Sequence, residues 1–172
     1  MRNDYSVVLD VAKAAELTAN YQKVNGNKFK VALIDDDEMC LRVAKHRIEL
    51  MYKNGVDVLT FKKYDEFEKN GLEADVVVLD YMYEQQYGHT NGLSLLVKLK
   101  LLKPAPEVYM LTGHSHMNIA VQAMKSGAAD YIVKGEGCYE RLNQNIFQAI
   151  KKKSLVERRT SLLSLFSKRM GF

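Results

Sequence analysis

Cysteine is scarce in this chain, and its two occurrences lie far apart. Cys40 and Cys138 form no CxxC motif and no Cys/His pair with the spacing of a zinc site. Small secreted domains that are held together by disulfides carry many more cysteines for their length. That class is therefore excluded, and a reducing compartment is expected.

Long apolar runs are absent as well. No stretch approaches the ~18–20 apolar residues that a membrane-spanning helix requires. The amino terminus has an early arginine, two early aspartates and no apolar core, so it is a poor match to a secretory signal peptide. We therefore expect a cytoplasmic protein with no membrane span.

Positive charge is concentrated at the carboxyl end. The net charge is +4, and residues 151–172 alone carry seven lysines and arginines against one glutamate. The rest of the chain is therefore slightly acidic. A protein that is basic throughout, as many nucleic-acid binders are, is not indicated, and we expect no specific binding to DNA.

Four short apolar segments each end at a polar residue. Such segments are typical of strands buried on both faces in a parallel sheet that is covered by helices. In such sheets the ligand site lies at the carboxyl ends of the strands. One rim is therefore expected to hold acids, a hydroxyl and an ammonium together. The segments are 29–34, followed by Asp35, Asp36 and Asp37; 76–79, followed by Asp80; 108–111, followed by Thr112; and 131–133, followed by Lys134.

The segments between these strands have the spacing of amphipathic helices. In the first of them, Leu41, Ala44, Ile48 and Met51 form one apolar stripe. Further helices are predicted at 62–70, at about 92–103 and at 118–126. A further strand at 56–61 alternates polar and apolar residues, as an edge strand does. Strict alternation of strands and helices predicts an α/β fold, a doubly wound five-stranded parallel sheet in the order 2-1-3-4-5 with helices on both faces.

Two helical extensions are predicted outside this alternation. Residues 1–28 form an amino-terminal extension in which 7–19 suits a short helix; it packs on the edge of the domain or is partly disordered. Residues 29–152 form the α/β domain. Residues 153–172 form a basic amphipathic helix, which is too short to be a DNA-binding output domain. Four alternatives stay open for this tail: it extends the last helix and packs on the domain, it forms a homodimer, it binds a partner protein, or it contacts membranes or phosphate backbones.

The polar residues at the strand ends suit phosphoryl transfer. Asp36 and Asp80, once brought together, repel each other unless one is protonated or a cation lies between them. Mg²⁺ prefers such hard carboxylate oxygens, and with the metal bound Asp80 can attack a phosphoryl group to form an aspartyl phosphate. The ammonium of Lys134 and the hydroxyl of Thr112 then neutralise charge on the transferred group. Taken singly, each residue also has a structural alternative, such as a helix cap for the aspartates.

The same segments resemble the receiver domain of two-component response regulators over about residues 30–152. The matching pieces are 33–37, 77–80, 110–113 and 127–134. The resemblance implies that Asp80 is the phosphoacceptor, that Thr112 and Lys134 contact the phosphoryl group, and that Tyr131 is an aromatic switch. The implied Mg²⁺ ligands are Asp35, Asp36, Asp80 and the main-chain carbonyl of Met82.

The family also implies partners. A sensor histidine kinase or a phosphotransfer protein is expected to donate the phosphoryl group, and a downstream protein is expected to read the result. A stand-alone receiver of this kind catalyses only its own phosphorylation and dephosphorylation, so it is not an enzyme in the usual sense.

Three positions depart from the family pattern. Gly135 follows Lys134 where the family usually has a proline after a cis peptide bond. The loop at 81–91 is longer than usual and rich in tyrosine and glutamine. His114 lies two residues beyond Thr112, near the path of hydrolytic water in receivers, which makes it a candidate for tuning the lifetime of the phosphate.

Two other functions are considered. A haloacid-dehalogenase-type phosphatase also uses an aspartate nucleophile with a threonine and a lysine, and Asp35 with Asp37 mimics its acid pair. It also needs a late acidic pair, where this chain has only the isolated Glu136 and Glu140. The second alternative is a degenerate receiver that binds partners without phosphorylation.

Overall fold

The structure, a computed structural model, describes residues 10–81 and 92–170. Five parallel strands form one sheet in the order β2-β1-β3-β4-β5, which confirms the predicted fold. The strands are β1 (Phe29–Ile34), β2 (Val56–Phe61), β3 (Val76–Leu79), β4 (Glu107–Thr112) and β5 (Asp130–Val133). The helices are α1 (Val11–Asn25), α2 (Glu38–Tyr52), α3 (Tyr64–Asn70), α4 (Gly92–Lys100), α5 (Met117–Lys125) and α6 (Cys138–Met170).

Helices cover both faces of the sheet. Helices α1, α2 and α6 pack on one face, and α3, α4 and α5 pack on the other. Along β1, Val31 and Leu33 enter the first core, whereas Ala32 and Ile34 enter the second. Because successive side chains of a strand point to opposite faces, a strand covered on both sides has to be apolar throughout. This is why the segments before the polar residues are nearly continuous apolar runs, interrupted only by the half-buried Lys30 at the start of β1.

Helix α1 differs from the predicted helix at 7–19. It runs from Val11 to Asn25, and residues 7–9 lie outside the described part of the chain. Polar residues after Ala19 hid the continuation in the sequence. The helix continues because Tyr21 is buried against Phe29, with ring centroids 5.4 Å apart. It ends where Gly26 adopts a left-handed conformation and its N–H donates to the Gln22 carbonyl.

Helix α1 is fitted closely to the body of the protein. It packs against α2 and α6, and Thr18 on its inner side is only 2% exposed. Thr18 lies over Gly55, where an added Cβ would come within 2.1 Å of the Thr18 Oγ1 atom. The absence of a side chain at Gly55 therefore makes room for the helix.

Helix α6 is a single unbroken helix of 33 residues. Its first half buries an apolar stripe against the sheet, with Leu142, Ile146, Ala149 and Ile150. The basic helix predicted at 153–172 is the continuation of α6 as far as Met170. No helix within the described residues is both long enough and apolar enough to cross a membrane.

The remaining helix ends lie within a few residues of their predicted positions. Helix α4 ends at Lys100, earlier than the predicted residue 103. Pro104 disfavours a helical conformation of the residue before it, so the chain leaves the helix ahead of Lys103. The predicted helices at 62–70 and 118–126 are α3 and α5 with slightly shifted bounds.

Substitution of Gly55 tests the packing of α1. Gly55→Ala is expected to lower the free energy of unfolding by about 1–3 kcal/mol, because the new methyl group overlaps Thr18. Urea unfolding followed by circular dichroism measures the change. Gly113→Ala is the control, since nothing lies within 4 Å of its added Cβ. A Gly55→Ala protein as stable as the wild type would show that α1 does not pack on this loop.

Candidate functional site

The carboxyl ends of β1 and β3 bring three aspartates together. Ile34 and Leu79 are paired across these neighbouring strands, so the residues that follow them, Asp35 and Asp80, lie side by side. One carboxylate oxygen from each of Asp35, Asp36 and Asp80 lies within 4.8 Å of the others. Asp35 and Asp80 are buried, whereas Asp36 is exposed. The predicted acidic cluster therefore exists, and it opens to solvent on the Asp36 side.

Asp37, the third aspartate after β1, has a structural role. Its side chain accepts hydrogen bonds from the main-chain N–H groups of Met39 and Cys40 and so caps α2. These bonds, with that from Met39 the strongest, hold the pKa of Asp37 below its ordinary value. The capping alternative raised by the sequence thus applies to Asp37, and Asp35 and Asp36 are left for the site.

Lys134 bridges the two buried acids. Its Nζ atom lies 2.7 Å from Asp35 Oδ2 and 3.3 Å from Asp80 Oδ1. Burial by itself lowers the pKa of Lys134, but the hydrogen bond to Asp35 and the charges of Asp80 and Asp35 outweigh it and raise that pKa. The side chain is therefore a firmly protonated ammonium at the centre of the site.

The ammonium of Lys134 does not by itself balance the negative charge of the three carboxylates. Burial raises the pKa of Asp35, although the hydrogen bonds from Lys134 and from the Asp37 N–H oppose the rise. Three carboxylates with one lysine favour a further cation, and hard oxygen donors at this spacing suit Mg²⁺. Asp35, Asp36 and Asp80 are the residues that could hold it. Met82, the remaining ligand implied by the sequence, lies outside the described residues.

Thr112 and Tyr131 meet at the main chain of His114. The fully buried Thr112 accepts a hydrogen bond from the His114 N–H at 3.3 Å. The Tyr131 hydroxyl donates to the His114 carbonyl at 2.7 Å. One residue of the loop after β4 is therefore bonded both to the predicted phosphate contact and to the predicted aromatic switch.

The side chain of His114 belongs to a ring cluster beside the acids. The Tyr81 ring meets it edge-on at a centroid distance of 5.7 Å, and the His116 ring stacks on it at 6.0 Å. Sequence reasoning singled out His114 but missed Tyr81 as its neighbour. The only signal was the aromatic content of the segment after Asp80, which does not say where its rings pack.

Two glycines shape the backbone around the site. Gly92 donates its N–H to the Tyr81 carbonyl, and an added Cβ would lie 2.4 Å from the Asp80 carbonyl oxygen. Only glycine therefore lets α4 begin directly against the end of β3. Gly135, in contrast, has open space around it. Within the described residues the cis peptide bond is Lys103–Pro104, so the Lys134–Gly135 bond is trans.

The cavity at the acids is very small. It measures about 10 Å³ and is lined partly by Cys40 and Leu41. A larger cavity of about 660 Å³ lies at the opposite, amino-terminal ends of the strands, where Leu102 and Pro106 contribute to its walls. The larger cavity contains none of the three clustered aspartates. The site at Asp80 therefore suits a small transferred group better than an enclosed organic substrate.

Asp130 fixes the start of β5, the strand that contains Tyr131 and is followed by Lys134. Its carboxylate accepts hydrogen bonds from Arg141 Nε at 2.8 Å, from Asn145 Nδ2 at 2.6 Å and from the Tyr131 N–H at 2.8 Å. Burial raises the pKa of Asp130, but these bonds outweigh it and lower that pKa below its ordinary value. The start of β5 is thereby tied to α6.

Comparison with known proteins matches most of this chain to a known family. The family model of the response regulator receiver domain matches residues 31–146. A crystal structure of a response regulator receiver domain protein from Clostridium thermocellum is 30% identical, with a TM-score of 0.62. The similarity covers 74% of this chain and 98% of that one.

Longer regulatory proteins are similar over the same region. The alginate biosynthesis transcriptional regulatory protein AlgB of Pseudomonas putida is 30% identical over 113 residues, which is 66% of this chain and 24% of that protein. The C4-dicarboxylate transport transcriptional regulatory protein DctD of Rhizobium meliloti is 33% identical over 135 residues, 77% of this chain and 27% of that protein. The chain thus spans about a quarter of the length of these relatives.

The lowered pKa of Asp130 predicts a pH-dependent contribution to stability. Asp130→Asn is expected to lower the free energy of unfolding at neutral pH by about 1–3 kcal/mol, because the charge-assisted bonds are lost. The folded pKa lies below the unfolded value of about 3.9, so this contribution is present above about pH 4 and is lost as the pH falls through the folded pKa.

Urea unfolding of both proteins between neutral and acidic pH measures this difference. The difference in the free energy of unfolding between wild type and Asp130→Asn should become smaller on acidification. A difference that stays constant would contradict the assignment. Asp57→Asn is the control. It removes an exposed ion pair with Lys28 at 3.7 Å and should cost less than about 1 kcal/mol at neutral pH.

Proposed function

This chain belongs to the response regulator receiver domain family, and from that premise we propose that it accepts a phosphoryl group on Asp80. The donor is a histidine kinase or a phosphotransfer protein, and the metal is Mg²⁺ held by Asp35, Asp36 and Asp80. Phosphorylation then changes a surface that binds a downstream protein.

The observation that carries the proposal is the contact of Lys134 with both Asp35 and Asp80. A carboxylate oxygen of Asp80 attacks phosphorus while the bond to the donor imidazole nitrogen breaks, and that nitrogen takes the electron pair. Lys134 is placed to hold an oxygen of the transferred group, because its Nζ already lies 3.3 Å from Asp80. Bound Mg²⁺ would supply further neutralisation of the negative charge that gathers there.

Thr112 connects this chemistry to the rest of the domain. Its oxygen accepts from the His114 N–H, so its own proton is free to be donated to a phosphoryl oxygen. A pull on Thr112 toward Asp80 strains the bond to His114, and the His114 carbonyl is the acceptor for Tyr131. We infer that phosphorylation moves the loop after β4 and the Tyr131 ring together.

The surface that follows this loop is suited to binding a protein. Helix α5 begins at Met117, and Met117, Val121 and Met124 are 76%, 43% and 48% exposed. Their spacing of four and three residues places them on one side of the helix. An exposed methionine-rich stripe of this kind adapts to the shape of a partner. Movement of the loop before α5 would change how the stripe is presented.

The other functions receive less support. The phosphatase alternative needs Asp37 near the reacting group, but Asp37 caps α2. The degenerate receiver is disfavoured because Asp80, Lys134 and the metal-binding acids lie together. That the receiver acts alone, and that it binds no specific DNA, stay predictions, as does a role of His114 in phosphate lifetime.

Phosphorylation by a small-molecule phosphodonor tests the proposal. With Mg²⁺ and acetyl phosphate, the protein is expected to gain the mass of one phosphoryl group, detected by intact-protein mass spectrometry. Asp80→Asn should gain none, because it has no carboxylate nucleophile. Asp65→Asn, an exposed aspartate on α3, is the matched control and should behave as the wild type.

Three results would contradict this assignment. Labelling of the Asp80→Asn protein to the wild-type extent would place the acceptor elsewhere. Rapid multiple turnover of the phosphodonor without a covalent adduct would favour the phosphatase. Absence of any adduct in the wild type would favour the degenerate receiver.

Metal binding gives a separate prediction. MgCl₂ at about ten times its dissociation constant should raise the free energy of unfolding of the wild type by about 1.4 kcal/mol. Asp36→Asn should lose most of this gain, because the exposed acid of the cluster is removed. Urea unfolding with and without MgCl₂ is the measurement, and Asp65→Asn again serves as control. An unchanged gain in Asp36→Asn would remove Asp36 from the ligand set.

A further inference from the structure

The distal part of α6, which begins at Leu155, is less buried than its proximal half. The proximal half is held by its buried apolar stripe and by the ion pair of Lys153 with Asp75. Beyond Glu157 the side chains whose exposure is described are all exposed: Arg158, Arg159, Thr160, Leu162 and Leu163. This segment therefore receives little support from its own domain.

Four large apolar side chains are exposed on this part of the helix. Leu155, Val156, Leu162 and Leu163 are 65%, 60%, 56% and 61% exposed. Successive helical residues are about 100° apart, so these four lie within an arc of about 120°. An apolar arc of this width normally faces a core or a partner.

The arc faces away from the domain. The buried residues Leu142, Ile146, Ala149 and Ile150 define the side of α6 that meets the sheet. Counted along the helix, the centre of the exposed arc is rotated by about 120° from that side. The domain therefore cannot cover the four residues by a small tilt of the helix, and a separate surface has to do so.

Basic residues accompany the arc. Arg159 lies at its centre and Arg158 lies beside it, and both are exposed. Residues 151–172 hold seven lysines and arginines against one glutamate. The surface that covers the arc is therefore expected to be apolar and negatively charged.

A second copy of the chain is a poor match for this arc. Face-to-face packing of two α6 helices would bring the two Arg159 side chains together, and no acidic residue follows Glu157 in the sequence. The cavity beside the proximal half of α6 has no excess of negative charge, because its Lys103, Lys152 and Lys153 are balanced by Glu73, Asp75 and Glu107. A basic helix from a second copy would therefore gain no net charge attraction there.

We propose that the distal part of α6 binds to the surface of anionic phospholipid bilayers. Leu155, Leu162 and Leu163 enter the boundary of the acyl chains, and Arg158 and Arg159 contact headgroup phosphates. A flat bilayer accepts a convex apolar stripe without a matching groove, and arginine stems reach from the apolar layer to the phosphate level. The inference does not depend on phosphorylation of Asp80, because it uses none of the residues at that site.

Vesicle co-sedimentation tests this assignment. The full chain is expected to bind vesicles of phosphatidylglycerol mixed with phosphatidylcholine, to bind less at high salt, and not to bind pure phosphatidylcholine. Arg158→Gln and Arg159→Gln should each lower the partition coefficient by about fivefold. Leu162→Glu should lower it by roughly tenfold or more.

The matched control is Leu50→Glu on α2. Leu50 is 61% exposed, close to the 56% of Leu162, but it lies outside the distal part of α6. It should leave vesicle binding unchanged. All the variants should accept a phosphoryl group from acetyl phosphate as the wild type does, so loss of vesicle binding and loss of phosphorylation are distinguishable.

Three outcomes would overturn the assignment. One is failure of the wild type to bind the anionic vesicles. Another is wild-type binding by Leu162→Glu, because a purely electrostatic tail would not need the leucine. The third is a stable dimer in sedimentation velocity that Leu162→Glu dissociates, because the arc would then be covered by a second copy.

Discussion

The ammonium group of Lys134 lies between Asp35 and Asp80, and the acidic site depends on this contact. Parallel pairing of β1 with β3 places the two carboxylates side by side, and both are buried. Two buried carboxylates repel each other strongly unless positive charge is close. The lysine supplies one charge, and the remaining excess of negative charge would favour a divalent cation beside it.

Lys134 also connects the site to β5, the strand at one edge of the sheet. Lys134 follows β5, and its main-chain N–H donates to the Thr112 carbonyl at the end of β4. Asp130 fastens the other end of β5 to α6 through Arg141 and Asn145. The position of the ammonium is therefore set by two strands and a helix. A change of charge at Asp80 acts on groups that are already connected to the loop before α5.

The helical additions at the two ends of the chain differ in how they are held. Helix α1 is part of the packed body, since Ala14 and Tyr21 belong to the core and Thr18 fits over Gly55. No side chain of the distal part of α6 is buried among those that the structure describes, and its apolar arc is turned away from the sheet. A helical segment that has little contact with the body and exposes leucines is marginally stable in water. It therefore needs another surface to cover its apolar arc.

Much of the site could be predicted from the sequence because its rules are local. Strand ends follow from short apolar runs, and in a parallel sheet they meet at one rim, so the meeting of Asp35, Asp36 and Asp80 was predictable. It was not predictable which of the three aspartates after β1 would cap α2 and which would face the site. Capping by Asp37 depends on where α2 begins, to within one residue, and sequence patterns do not locate helix ends that closely.

The sequence by itself determined the strand order, the helices on both faces and the set of polar groups at the rim. Periodicity and the handedness of crossovers are enough for these. The tertiary structure alone decided that His114 joins Thr112 to Tyr131, that α1 continues to Asn25, and that the apolar arc of α6 faces away from the domain. Each of these depends on distances between residues far apart in the chain, or on the rotation of a helix about its axis, and packing sets both.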